Sequence, residues 1–143
     1  MKVTADTNVL VRAVTSDDDV QSPLAAGTLR DAELVAVPIP VLCQLVWVLT
    51  RGYDLTRTQV AAAVRALTQA ANVVTDSAAV DAGLAVLDAG GDFADGAIAH
   101  HGTALGADTF VTFDRQAARL VAGAGIPARL LGIPSRESAS QRR

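Results

Sequence analysis

Short apolar runs that end at an acidic residue and pass at once into a helix recur along this chain, and this narrows its fold more than any other feature. The opening run Met1-Lys2-Val3-Thr4-Ala5-Asp6 reads as a strand over residues 2 to 6 that stops at a carboxylate, and Asn8 to Val14 reads as a helix capped by Asp6, Thr7 or Asn8. A second run, Thr109-Phe110-Val111-Thr112-Phe113, ends the same way at Asp114, while Gly91-Asp92-Phe93-Ala94-Asp95 stands at the mouth of a further helix. Apolar spacing predicts strands over 33–37 and 72–75 and near 129–131, with helices over 20–31, 38–51, 56–70, 93–105 and 115–122. One more helix opens at Asp76 or Ser77 and ends at Gly90-Gly91. Strands that alternate with helices pair in parallel through right-handed crossovers. The expected fold is therefore α/β, a three-layer α/β/α sandwich with a mainly parallel central sheet. Such sheets bind ligands at the carboxyl ends of their strands, where Asp6 and Asp114 fall.

At 143 residues, half of them apolar, the chain can bury one core without disulfides. One domain is expected over residues 1–132, followed by a polar tail, 133–143, predicted to be disordered. The single cysteine, Cys43, excludes an internal disulfide and reads as a small buried hydrophobe. No signal-peptide pattern is seen, and the most apolar stretch, Leu34 to Leu49, is interrupted by Pro38, Pro40 and Gln44 and is too short for a bilayer. A soluble cytoplasmic protein without membrane contact is expected. The net charge of -3 argues against holding nucleic acid by bulk electrostatics. The twelve cations are eleven arginines and one lysine, and arginine is the better bidentate phosphate ligand, so any RNA contact would be local. Arg12, Arg51 and Arg115, near element ends, are the candidates to rim a phosphate pocket, although each reads equally well as solvated charge.

Asp92 and Asp95, three apart at a helix start, share a face that the helix dipole makes favourable for negative charge. Carboxylates gathered within ~5 Å repel by roughly 3 kcal/mol per pair at an effective dielectric near 20, so a positive charge is expected among them. The only lysine, Lys2, lies at the opposite end of the first strand, which favours a cation. Oxygen ligands of this type suit magnesium or manganese, whose bound water can attack a phosphodiester. Gln44 is the one strongly polar side chain in an otherwise apolar helix. It reads either as a satisfied core amide or as a group facing the acidic pocket. Asp17-Asp18-Asp19 reads as a helix cap rather than a metal site. His100 and His101 project away from the Asp95 face, and Trp47 and Phe93 read as core or dimer packing.

The strings Ala5-Asp6-Thr7-Asn8-Val9-Leu10, Cys43-Gln44-Leu45-Val46-Trp47-Val48-Leu49, Asp92-Phe93-Ala94-Asp95 and Val111-Thr112-Phe113-Asp114 resemble, in order, the signatures of PIN-domain ribonucleases, in particular VapC toxins. The resemblance runs over residues 1 to about 132. It implies a magnesium-dependent endoribonuclease held inactive by a VapB-type antitoxin and usually dimeric. Asp6, Asp95 and Asp114 match the family's acidic metal ligands, Asp92 an accessory acid, and Asn8 and Thr112 polar residues that orient the carboxylates. Position 44 departs from the pattern, because the family carries glutamate there. Glutamine keeps one acceptor oxygen and loses a charge, so weakened metal binding and slow cleavage are expected. The alternative is a catalytically degenerate module that acts by binding RNA or antitoxin. Dehalogenase-like phosphatases and receiver domains also set an aspartate at a strand end, but they need a downstream lysine and none follows Lys2.

Overall fold

The computed structural model describes residues 1–132, so the tail expected over 133–143 lies outside the described residues. Every predicted element forms. In chain order they are β1 (Lys2–Thr4), α1 (Thr7–Thr15), α2 (Gln21–Asp31), β2 (Leu34–Ala36), α3 (Ile39–Arg51), α4 (Arg57–Thr68), β3 (Val73–Val74), α5 (Ser77–Asp88), α6 (Phe93–Ala104), β4 (Phe110–Thr112), α7 (Arg115–Gly123) and β5 (Ala128–Leu130). The first four strands are shorter than predicted, and an aspartate at or just beyond the end of three of them caps the helix that follows. The Asp6 carboxylate accepts the Asn8 and Val9 amides, Asp76 that of Ala79, Asp92 that of Ala94 and Asp114 that of Ala117. At α4, Thr56 and Gln59 satisfy each other's amides in a capping box.

The architecture is the expected α/β/α sandwich, and every strand pairing is parallel. The strands nevertheless fall into two groups. One is a three-stranded sheet in the order β1-β2-β3, with Val3 opposite Val35 and Val35 opposite Val73. The other pairs β4 with β5, Val111 opposite Arg129. Among the described residues no backbone hydrogen bond joins the two groups.

The larger core fills the first group, with Leu10, Val35, Leu42, Leu45, Leu49, Val60 and Val64 fully buried. A smaller one, built on Val86, Ala99, Leu120 and Val121, serves β4, β5 and α7. Between them α5 and α6 pack as a close hairpin. Side chains at Gly83 and Gly96 would collide: a Cβ at Gly83 would meet the Phe93 ring at 2.6 Å, and one at Gly96 the Ala82 carbonyl oxygen at 2.2 Å. These two glycines let the helices approach to backbone contact and let Phe93, fully buried, sit over the first of them.

Helix α3 corrects one expectation. Its apolar positions run almost all the way round, which reads as a central helix, yet only the stripe Leu42, Leu45, Val46, Leu49 is buried, while Pro40, Gln44, Trp47 and Arg51 form an exposed stripe at helical spacing. Trp47 is 62% exposed and so is no core residue, unlike Phe93. The helix packs on α1, α4 and α6, and the other side is exposed among the described residues.

Candidate active site

Three of the predicted acids meet in one cleft of about 320 Å³. Asp92 and Asp95 enter it from the first turn of α6, and Asp114 from the cap of α7, so two helix amino termini face the same space. Gly91 makes this approach possible, since a Cβ there would strike Leu120 at 2.6 Å and Val86 at 2.8 Å. The Thr112 hydroxyl accepts the Asp114 backbone amide at 3.0 Å, which fixes the turn from β4 into α7.

The electrostatics of the cleft centre on Asp95. Burial first, then the charges of Asp92 and Asp114, push its carboxyl above the ordinary range. Cys43, half-buried rather than fully buried as expected, has its thiol raised by burial and then by the Asp92 charge. Positive charge is already present: Arg51 from the end of α3 and Arg57 from the start of α4 line the cleft, and the Arg57 guanidinium donates to the Gly91 carbonyl at 3.2 Å. Arg51 was legible as a rim residue. Arg57 was not, because in the sequence it is one more polar residue in a capped first turn, and only the docking of α4 on the 90–91 turn brings it here.

Asp6 lies elsewhere. With its carboxylate on the α1 amides, at 2.8 Å from Asn8 and 3.3 Å from Val9, it lines a separate hollow with Asn8 and Arg12. Gln44 and Asn8 line a third hollow together with Cys43 and Trp47. Gln44 is exposed rather than buried, and its side-chain oxygen accepts the Thr7 hydroxyl at 2.5 Å. The amide thus has its partner without any metal, and the partner is the residue next to Asp6. Asn8 is common to the first two of these hollows and Trp47 to the hollow of Gln44 and the acidic cleft, so the predicted residues are strung along one surface instead of meeting at a point.

Arg12 is engaged by a different group. It pairs with Asp17 at 3.1 Å and bonds Gln21 and the Tyr53 hydroxyl, while Tyr53 and Thr15 donate to Asp17. These bonds, Tyr53's first, hold the Asp17 carboxyl at about 2. Of the aspartate run, Asp18 performs the expected capping by accepting the Val20 and Gln21 amides, and Asp17 serves this network. Arg115 is exposed at the first residue of α7. His100 is half-buried and His101 exposed, neither lining the acidic cleft.

Aspartate oxygens are the donors that hard divalent cations prefer. Yet among the described residues of one chain no three Asp, Glu, His or Cys side chains gather closely enough to hold a metal ion between them. The donor chemistry fits such an ion, and the convergence within a single chain does not.

No described helix is long and apolar enough to cross a membrane. Among curated proteins none matches the chain with significance. Compared with known families, residues 3–123 match the PIN domain, whose members are generally nucleases that use divalent metal ions. With most of its length matched and the α/β/α architecture in place, the chain belongs to the PIN-domain family.

Proposed function

We propose that this PIN domain is an endoribonuclease with Mg2+ or Mn2+ as its cation, the toxin of a type II toxin–antitoxin module. In this reading a VapB-type antitoxin holds it inactive in the cytoplasm and the working form is a homodimer. The observation that carries it is the cleft in which Asp92, Asp95 and Asp114 stand beside Arg51 and Arg57. Carboxylates and guanidinium groups in one water-accessible space are the two kinds of group that phosphodiester hydrolysis needs. Arginines bind and orient the phosphate through paired N–H bonds, and a carboxyl raised by burial and like charge is suited to hold the proton of an attacking water. Asp6, with Asn8 and Thr112 in support, belongs to the same acidic set by its place in the family pattern. Arg12, bound to Asp17 and Tyr53, is the weakest of the three arginines first named for RNA contact.

Gln44 favours a second reading, a domain that binds RNA or antitoxin without cleaving. Its amide occupies the usual glutamate position and is satisfied by Thr7. One experiment separates the two: cleavage of mixed RNA by the wild-type chain and by Gln44→Glu, with Mg2+, with Mn2+ and with chelator. Metal-stimulated cleavage that rises in Gln44→Glu supports the nuclease. RNA retention with no cleavage by either chain supports the binding module.

A further inference from the structure

The hollow beside the acidic cleft carries groups that phosphodiester hydrolysis does not use. It measures about 490 Å³, within the range of small-ligand sites, and is lined by Thr7, Asn8, Cys43, Gln44, Trp47 and Val48. Cys43 and Val48 are half-buried and pack on the main core, so they give it an apolar floor. Around that floor stand one indole and two carboxamides, all exposed. Helix α3 supplies its share by spacing, since Gln44, Trp47 and Arg51 follow one another at three and four residues along its exposed stripe. Asn8 comes from the first turn of α1, next to the Thr7 that holds Gln44.

Three observations point to one kind of ligand. Trp47, 62% exposed on a helix that the core holds rigid, offers a flat apolar surface of the kind on which nucleobases stack. The Thr7 hydroxyl donates to the Gln44 side-chain oxygen at 2.5 Å, which orients the amide and leaves its two N–H groups as the end a ligand meets. Those donors suit a carbonyl oxygen, the O6 of guanine or the O4 of uracil, where adenine and cytosine carry an amino group. Finally, Trp47 also lines the acidic cleft, one helical turn before Arg51, which lines it together with Arg57. At 1.5 Å rise per residue, Gln44 and Arg51 lie ~10 Å apart along α3, so a base in the hollow and a phosphate at the guanidinium groups belong to adjoining nucleotides. Glutamate at position 44 would offer that carbonyl only acceptors and would repel the phosphate. Glutamine does neither.

We propose that this hollow is a base-reading pocket for unpaired RNA, in which Trp47 stacks on one base, Gln44 and Asn8 bond its edge, and the adjoining phosphate reaches Arg51 in the acidic cleft. Trp47 then sets affinity, and Gln44 sets a preference for keto over amino bases. The pocket rests on the reading that this domain binds RNA, and not on its cleaving it.

Trp47 is the only tryptophan of the chain, so its emission reports on the pocket directly. The probes are short oligouridine and oligocytidine, which share a ring and differ at the edge the amide meets, end-labelled for anisotropy and titrated in chelator. Oligouridine should bind about tenfold more tightly than oligocytidine and quench Trp47. Trp47→Ala should weaken binding of both by about tenfold. Gln44→Leu should keep the quench and lose the preference, and Gln44→Glu should reverse it. Both positions are exposed, so the variants should keep their helical circular dichroism, and the wild-type quench and preference test the pocket even where a variant misfolds. Binding with unaltered emission, equal affinity for the two oligomers, or wild-type affinity in Trp47→Ala overturns the pocket. Emission that changes on diluting the protein and not on adding RNA assigns the stripe to a second copy and overturns it too. Quenched, base-selective binding without Mg2+- or Mn2+-stimulated cleavage leaves the pocket standing and removes the nuclease. Metal-stimulated cleavage indifferent to base and to Trp47→Ala does the reverse.

Discussion

The β1-β2-β3 half of this molecule and the β4-β5 half are built from the same strand–helix grammar, yet one is finished and the other is not. In the first half, four helices lean on three strands, and large aliphatic side chains such as Leu42, Leu45 and Leu49 vanish from solvent. In the second, α7 and two strands close on α5 and α6 around a small core of Val86, Ala99, Leu120 and Val121, while Val111, Phe113 and Leu105 stay exposed. Burial scales with the number of layers available, so a half with few elements cannot hide the side chains it carries. The difference shows that a shared local pattern fixes elements without fixing how completely they are covered.

The sharpest way to break this comparison is at the seam. Phe93→Ala empties the space over Gly83, where α5 and α6 join the halves, and should cost about 3–5 kcal/mol in urea unfolding. A loss below about 1 kcal/mol would mean that the seam does not couple them. Equal truncations then compare the cores directly: Leu45→Ala should cost about 4 kcal/mol and Leu120→Ala about 2, because the smaller core is partly open and can relax. The reverse order by the same titration would show that the second half is the better packed.

Two smaller effects test the charges. Asp95 has a raised pKa, so its contribution to stability is greatest when protonated and is lost as pH rises through its folded value. Asp95→Asn, in chelator, should therefore raise the melting temperature near neutral pH and leave it unchanged well below pH ~4. A fall at neutral pH would indicate that the carboxylate is held by a positive group. Asp17 has the opposite sign. Its carboxyl, moved from 3.8 to about 2, supports the fold above pH 3.8 and stops doing so as pH drops toward 2. Tyr53→Phe removes the leading bond and should shift that acid loss to higher pH by a small amount, visible in melting curves across the range. An unchanged curve would place the cause with Thr15 and Arg12.

Much of this could be read before any coordinates. Caps at Asp6, Thr56, Asp76, Asp92 and Asp114, together with the apolar spacing between them, located the helices and strands of the described residues to within a few positions, because capping and periodicity act over a single turn. The pairing of Asp92 with Asp95 was equally local. The exposed stripe of α3 was hidden because apolar composition reports what a side chain tolerates and not whether a neighbour arrives to cover it. Arg57 in the cleft and the Asp17–Tyr53–Arg12 network join residues 34 and 36 positions apart, beyond the reach of any periodicity. Gly83 and Gly96, which decide how α6 sits, look in the sequence like two glycines tolerated in small-residue helices.

By itself the sequence determined the element order, the parallel α/β class, the aspartates at helix starts and the family pattern, all consequences of interactions between residues a few positions apart. Only the tertiary structure decided that Asp92, Asp95 and Asp114 share a cleft while Asp6 and Gln44 line neighbouring hollows, and that the described strands form two hydrogen-bonded groups. Those outcomes depend on how closely two helices can approach, and that distance is set by which atoms are missing at the contact rather than by any pattern along the chain.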